Sequence, residues 1–211
     1  MNEQTRRQIM ERLRNERPDP ESELNFHNPF ELLIAVMLSA QATDKSVNLA
    51  TPALFAAMPD AATMASKTPE DIEPFIKTIG LYRNKSKHAV AIAKALMERF
   101  HGEVPQNLKD LTSLPGVGLK TAKVVLNVAF QQPCIPVDTH IFRVCQRTGL
   151  VQAKTADECS DKLEKLLPQE FLLGAHHWIL LHGRYCCTAR KPQCFNCPIE
   201  DLCRWTGKEP I

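Results

Sequence analysis

The sequence predicts an all-α protein. Apolar residues recur at helical spacing along most of the chain, and several of these stretches open on Asn, Asp, Thr or Pro start signals. No convincing run of alternating apolar and polar residues marks a strand. At 211 residues and 44% hydrophobic content, the chain can bury a core in one or two domains.

Taken in order, Gln4 to Glu16 sets Ile9, Met10 and Leu13 on one stripe, and Pro18 stops the helix. Asn28-Pro29 reads as cap and first residue of a strongly apolar helix, Phe30 to Leu38. Thr43-Asp44 starts another that runs towards Met58, where Pro52 is expected to kink or divide it. Thr68-Pro69-Glu70-Asp71 repeats the start signal. Asn84 to His101 is a long amphipathic helix closed by Gly102. Leu108 to Leu114, Gly118 to Phe130, Asp138 to Thr148 and Thr155 to Leu167 follow, the last opened by a Thr155…Glu158 capping box. Phe171 to Cys187 completes a set of about ten helices.

Charge distribution says more than the net value of +2. From Lys77 to Met97 the chain carries Lys77, Arg83, Lys85, Lys87 and Lys94 without one Asp or Glu. A second acid-free stretch, His182 to Ile199, holds Arg184, Arg190 and Lys191. Alone these read as solvated faces; together they outline a one-sided footprint for a polyanion. The N-terminus lacks the apolar run of a signal peptide, and no stretch approaches ~18 consecutive apolar residues. The expectation is an intracellular, cytoplasmic protein with no membrane span.

Four cysteines, Cys187-x6-Cys194-x2-Cys197-x5-Cys203, fall within 17 residues. Soft thiolates at this density suit an iron–sulfur cluster or a tetrahedral zinc. Zinc ribbons bring ligands as two short pairs, whereas only Cys194 and Cys197 form one here. A single loop around a [4Fe–4S] cluster fits better. Spacing leaves Cys186, next to Cys187, open as the ligand in its place. Structural disulfides need an oxidising compartment, to which nothing here points. Cys134, Cys145 and Cys159 are expected as buried free thiols.

Between two predicted helices lies Leu114-Pro115-Gly116-Val117-Gly118-Leu119-Lys120-Thr121. Two glycines one residue apart allow a hairpin too tight for a side chain, with Leu114 and Val117 tucked between the helices. The following helix then begins with outward amides at its positive end, an arrangement that binds phosphate. It reads as a helix-hairpin-helix gripping a nucleic-acid backbone. Lys120 falls in the first turn, where the dipole disfavours a cation. It is either phosphate-binding charge or an amine tuned to act as a nucleophile. Asp138, in Pro136-Val137-Asp138-Thr139-His140, reads as a helix cap on its own.

The hairpin with Lys120, the Val137–His140 segment and the four-cysteine loop, in this order and spacing, resemble the endonuclease III family. These are bacterial DNA glycosylase/apurinic-apyrimidinic lyases of the helix-hairpin-helix superfamily. Leu38-Ser39-Ala40-Gln41-Ala42-Thr43-Asp44 and Ile79-Gly80-Leu81-Tyr82 match too, so the likeness runs from about Arg12 to Cys203.

The resemblance implies two helical lobes with a DNA-binding cleft between them. A six-helix barrel would span residues 22–132, with the hairpin motif at about 108–127. The other lobe would join 1–21 to 133–211 and carry one [4Fe–4S] cluster in the loop 187–203. The cluster ligands would be Cys187, Cys194, Cys197 and Cys203, which leaves Cys186 a spectator. Lys120 would attack C1′ of a flipped, oxidised pyrimidine nucleotide, with Asp138 assisting, and β-elimination would cut the strand on the 3′ side. Gln41 and Leu81 would fill the gap and wedge the opposite strand. Gly116, Val117, Gly118, Thr121, His140, Arg184 and Lys191 would contact DNA. The implied partner is duplex DNA with damaged pyrimidines or abasic sites, met by a monomer at the bacterial nucleoid. Leu119 and Thr112 depart from the residues expected in close relatives.

Other classes explain less. A ferredoxin-like carrier accounts for the cysteines but not the hairpin. A non-catalytic DNA-binding module leaves Lys120 as a phosphate contact. An adenine-specific mismatch glycosylase of the same superfamily carries a glutamate where this chain has Met37, lacks the lysine at Lys120, and adds a C-terminal domain.

Overall fold

The computed structural model describes residues 1–208, and its elements among them are α-helices and short 3-10 turns. The chain divides into two compact units: Met1–Glu21 together with the chain from Gln131 onward, and Ser22–Phe130.

The second unit contains α2 (Pro29–Leu38), α3 (Asp44–Ala57), α4 (Ala61–Ala65), α5 (Pro69–Ile76), α6 (Tyr82–Phe100), α7 (Leu108–Thr112) and α8 (Leu119–Phe130). Phe30 to Leu38 are all buried. A helix apolar on every side belongs in the middle of a core, and α2 packs against α3, α6 and α8. Its one charged residue, Glu31, is buried and accepts from the His27 amide at 2.8 Å. Asn28 caps α2 by accepting from the Glu31 amide at 2.9 Å.

Pro52 does not divide its helix: α3 runs through it. The proline ring is exposed, so the Asn48 carbonyl that loses its intrahelical donor stays near water. Helix α6 begins two residues earlier than the sequence suggests, after Leu81 takes a left-handed backbone at φ 60. The short α4, capped by Asp60, has no signal long enough to read.

The first unit holds α1 (Glu3–Glu16), α9 (Thr139–Thr148), α10 (Ala156–Leu166) and α11 (Leu172–Tyr185). Ile9, Met10 and Leu13 of α1 join a core with Ile141, Val144 and Ile179. Each such side chain contributes about 1.5–3 kcal/mol. The half-exposed Arg7–Glu170 ion pair adds at most about 1 kcal/mol, so burial decides where α1 docks. The indole of Trp178 then donates to Arg17 O at 2.9 Å and closes the end of α1.

Thr155 caps α10 as expected, but Glu158 returns its carboxylate to the Lys154 amide at 2.7 Å rather than to the cap residue. Cys145 and Cys159 are buried in this core, whereas Cys134 is only half-buried, contrary to expectation. Among the described residues no helix is long and apolar enough to cross a membrane.

Candidate nucleic-acid interface and metal centre

The hairpin takes its shape from one glycine. Gly116 has φ +72, and a Cβ there would lie 2.8 Å from the His88 ring. Gly118 needs no such freedom: its φ is ordinary and a Cβ would meet nothing within 4 Å. The expectation that both glycines are sterically required therefore fails for Gly118, whose bare backbone faces open space. Leu114 and Val117 are buried, and the Val117 amide donates to Leu114 O at 3.2 Å.

Helix α8 follows directly. Gly118 accepts from the Ala122 amide at 3.0 Å, so it occupies the cap position without a side chain to offer. Most other helices are capped by a side chain: Asn2, Asn28, Thr43, Asp60, Asn107, Asp138 and Thr155 each accept from an amide in the first turn. The amides opening α8 are thus left to the outside. No acid lies in that turn, while Lys120 is there and exposed. Thr121 is half-buried beside it.

Gln41 and Leu81 lie on two other loops of the same unit, and both have left-handed backbones, φ 56 and φ 60. Non-glycine residues are strained there by roughly 1–2 kcal/mol. Both side chains are exposed, Leu81 to 59%. An exposed leucine on a strained backbone serves neither core nor solubility, which points to function.

In the other unit, Asp138 caps α9: its Oδ1 accepts from the Ile141 amide at 2.8 Å. His176 is buried and bonds through Nδ1 to Pro136 O at 2.8 Å, fixing the segment before that cap. Gly183 lets α11 approach the start of α9, since a Cβ there would lie 3.0 Å from His140 O.

One face of α9 carries His140, Arg143 and Arg147. Arg143 donates to Gly183 O at 2.6 Å, to Cys187 O at 3.0 Å and to His140 Nδ1 at 3.3 Å. A turn later, Arg147 donates to Thr188 O at 2.6 Å, Ala189 O at 2.8 Å and Cys187 Sγ at 3.6 Å. Its guanidinium also stacks 4.3 Å from the Trp205 ring centroid. Sequence reasoning missed both arginines. The i, i+3, i+7 spacing from His140 is the signal that marks this face.

The arginines anchor the start of the cysteine loop. Cys187, Cys194, Cys197 and Cys203 line one cavity, together with His182 and Cys186, and none is in a disulfide. Hydrogen bonding from Cys186, with His182 Nε2 at 3.7 Å, holds the Cys197 thiol below its ordinary pKa, towards the ligating thiolate. Four soft donors around one cavity fit an iron–sulfur cluster. Arg184 is half-buried at the end of α11; Arg190 and Lys191 are exposed on the loop. Thr188 Oγ1 donates to Lys191 O at 2.6 Å and closes that turn. Of the two departures, Thr112 returns its hydroxyl to Leu108 O at 2.8 Å and Leu119 opens α8 half-buried; neither carries charge.

An uncapped, cation-bearing helix start behind a glycine hairpin in one unit, and a four-cysteine loop in the other, define a DNA glycosylase of the helix-hairpin-helix class. Residues 34–169 match the model of the HhH-GPD superfamily base excision DNA repair proteins, and residues 187–203 match the iron-sulfur binding domain of endonuclease III. The chain is 51% identical over 211 residues to endonuclease III of Escherichia coli (strain K12), covering 100% of both. It is 49% identical over 208 residues to endonuclease III of Haemophilus influenzae, covering 99% of both. A solved trapped endonuclease III–DNA covalent intermediate superposes with TM-score 0.92 at 41% identity, covering 97% of this chain and 96% of the other. The chain belongs to the endonuclease III family: it is a base-excision repair glycosylase and apurinic/apyrimidinic lyase that binds an iron–sulfur cluster.

Proposed function

We propose that this chain removes oxidised pyrimidines from duplex DNA and cuts the abasic strand through a Schiff base on Lys120. The observation that carries this reading is the position of Lys120: exposed, in the first turn of α8, with no carboxylate in that turn. Support comes from the endonuclease III relative captured as a covalent intermediate with DNA, because such a bond needs a nucleophile on the protein.

The duplex backbone is gripped at the bare amides opening α8, next to Gly116, Val117, Gly118 and Thr121. The damaged nucleotide is flipped, since C1′ cannot be reached in the stack, and Gln41 and Leu81 occupy the space it leaves. The neutral Lys120 amine attacks C1′, the C1′–N bond breaks, and the base departs. Asp138 takes up the proton shed by the amine or balances positive charge on the sugar. The C1′–O4′ bond then breaks, the ring oxygen takes a proton, and the opened sugar is an imine of Lys120. Loss of a C2′ proton breaks the C3′–O bond on the 3′ side, and water releases the enzyme.

Cys187, Cys194, Cys197 and Cys203 hold one [4Fe–4S] cluster, and the iron–sulfur match begins at Cys187 rather than Cys186. When bound, the cluster supplies four sulfur–iron bonds that fix the loop. Arg190 and Lys191, with Arg184 and His140 nearby in the same unit, then face phosphate. The working species is a monomer on DNA with damaged pyrimidines or abasic sites.

Borohydride reduction on duplex containing thymine glycol or an abasic site tests the reading. A covalent protein–DNA adduct is the expected result. Strand cleavage with no adduct under reduction contradicts the Schiff base.

A further inference from the structure

Cys186 has no part in this reading, yet five thiols line the cavity and Cys186 is the fifth. Its Sγ, the Cys197 Sγ and a ring nitrogen of His182 all lie within 4.8 Å of one another. The backbone beneath it is fixed. Its amide donates to His182 O at 2.9 Å, and its carbonyl accepts from the Gln193 amide at 3.0 Å, which closes the first turn of the loop. His182 is buried, its Nε2 lies 3.7 Å from Cys197 Sγ, and its Nδ1 has no partner. Cys187, by contrast, has its Sγ 3.6 Å from the Arg147 guanidinium.

We propose that Cys186 is a reserve ligand of the iron–sulfur cluster, placed to take over the iron held by Cys197; this rests on the assignment of the four ligands to Cys187, Cys194, Cys197 and Cys203. The exchange is a substitution at one iron. The Fe–S bond to Cys197 breaks, a bond from that iron to Cys186 forms, and one proton passes from the Cys186 thiol to the Cys197 sulfur. No electron is transferred and no oxidant or reductant is needed. The Cys186 Sγ, which donates to Gln193 O at 3.8 Å, lies within 4.8 Å of the Cys197 Sγ, and His182 Nε2 stays 3.7 Å from the sulfur that leaves. A side-chain rotation bridges a gap of this size without moving the loop backbone.

The test uses the full chain as purified, with iron per chain and absorbance near ~400 nm as readouts. Cys197→Ala is expected to keep at least about half of the wild-type iron, and Cys186→Ala/Cys197→Ala to lose nearly all of it. Cys194→Ala and Cys203→Ala, which stand outside the His182–Cys186–Cys197 group, are expected to lose it as single changes. If these two also stay brown, the four-cysteine assignment fails. If they are colourless and Cys197→Ala is colourless as well, the assignment stands and the reserve role is wrong. A brown Cys186→Ala/Cys197→Ala variant moves the replacement to another group and overturns it too. A second readout leaves all four ligands in place. Cys186→Ala alone is expected to bleach several-fold faster than wild type under an iron chelator, as one fallback for a released iron is gone. Equal bleaching rates count against the proposal.

Discussion

The hairpin leading into α8, whose first turn carries Lys120, and the cysteine loop after α11, which carries Arg190 and Lys191, both bring exposed cations next to irregular backbone, but different forces hold them. The hairpin is tied to its own unit by two buried side chains, Leu114 and Val117, and by a glycine that admits the His88 ring. The loop buries only Ile199 completely, and Phe195 at its centre is 68% exposed. Its shape depends on Arg147, on the Thr188–Lys191 bond and on four thiols that need a partner. A small apolar turn can hold itself, whereas a 17-residue excursion anchored to its core by one fully buried side chain needs metal and charge–carbonyl contacts. The proposed assignment puts the chemistry with the self-sufficient element and the metal with the dependent one.

The largest separation between the two regions is expected from Lys120→Gln. Base release and lyase activity should fall by about 10⁴-fold or more, the scale seen when a covalent nucleophile is removed, while the brown colour and affinity for abasic duplex persist. Asp138→Asn comes next, with turnover slowed by about 10²–10⁴-fold at unchanged far-ultraviolet circular dichroism. An amide still caps α9 but cannot take a proton. Normal turnover in this variant would reduce Asp138 to a cap.

Arg147→Met strikes the loop alone. Losing charged bonds to Thr188 O and Ala189 O, each worth about 1.5–3 kcal/mol, should speed amide exchange in residues 188–193 by about tenfold or more. Exchange in the hairpin should not change; a matching rise there would show that the two regions are held in common. Within the hairpin, Gly116→Ala should cost about 1–3 kcal/mol in thermal unfolding, through its positive φ and the His88 clash. Gly118→Ala should leave stability nearly unchanged and weaken DNA binding. The smallest effect belongs to Lys191→Glu: affinity for damaged and undamaged duplex should drop alike, and the salt slope should flatten by about 1.

Much of this was legible in the sequence because caps and glycines act locally. Asn28, Thr43, Asp138 and Thr155 open helices where their side chains announce it, and the Gly116 turn is visible as a motif. The misreadings have one cause, that exposure and tertiary approach are not local. Pro52 is harmless because it faces water, and Gly118 is sterically free because nothing packs on it. Arg143 and Arg147 went unnoticed in the sequence because the carbonyls they hold lie on a loop far away along the chain. The strain at Gln41 and Leu81 left no mark in residue type at all.

The central claim, that the hairpin carries the nucleophile, is tested most directly by mapping the borohydride-reduced adduct. Wild-type protein trapped on abasic duplex is digested, and the DNA-bearing peptide is sequenced by mass spectrometry. The account predicts a secondary amine at Lys120. Attachment at Lys123, Lys191 or the N-terminal amine would contradict it.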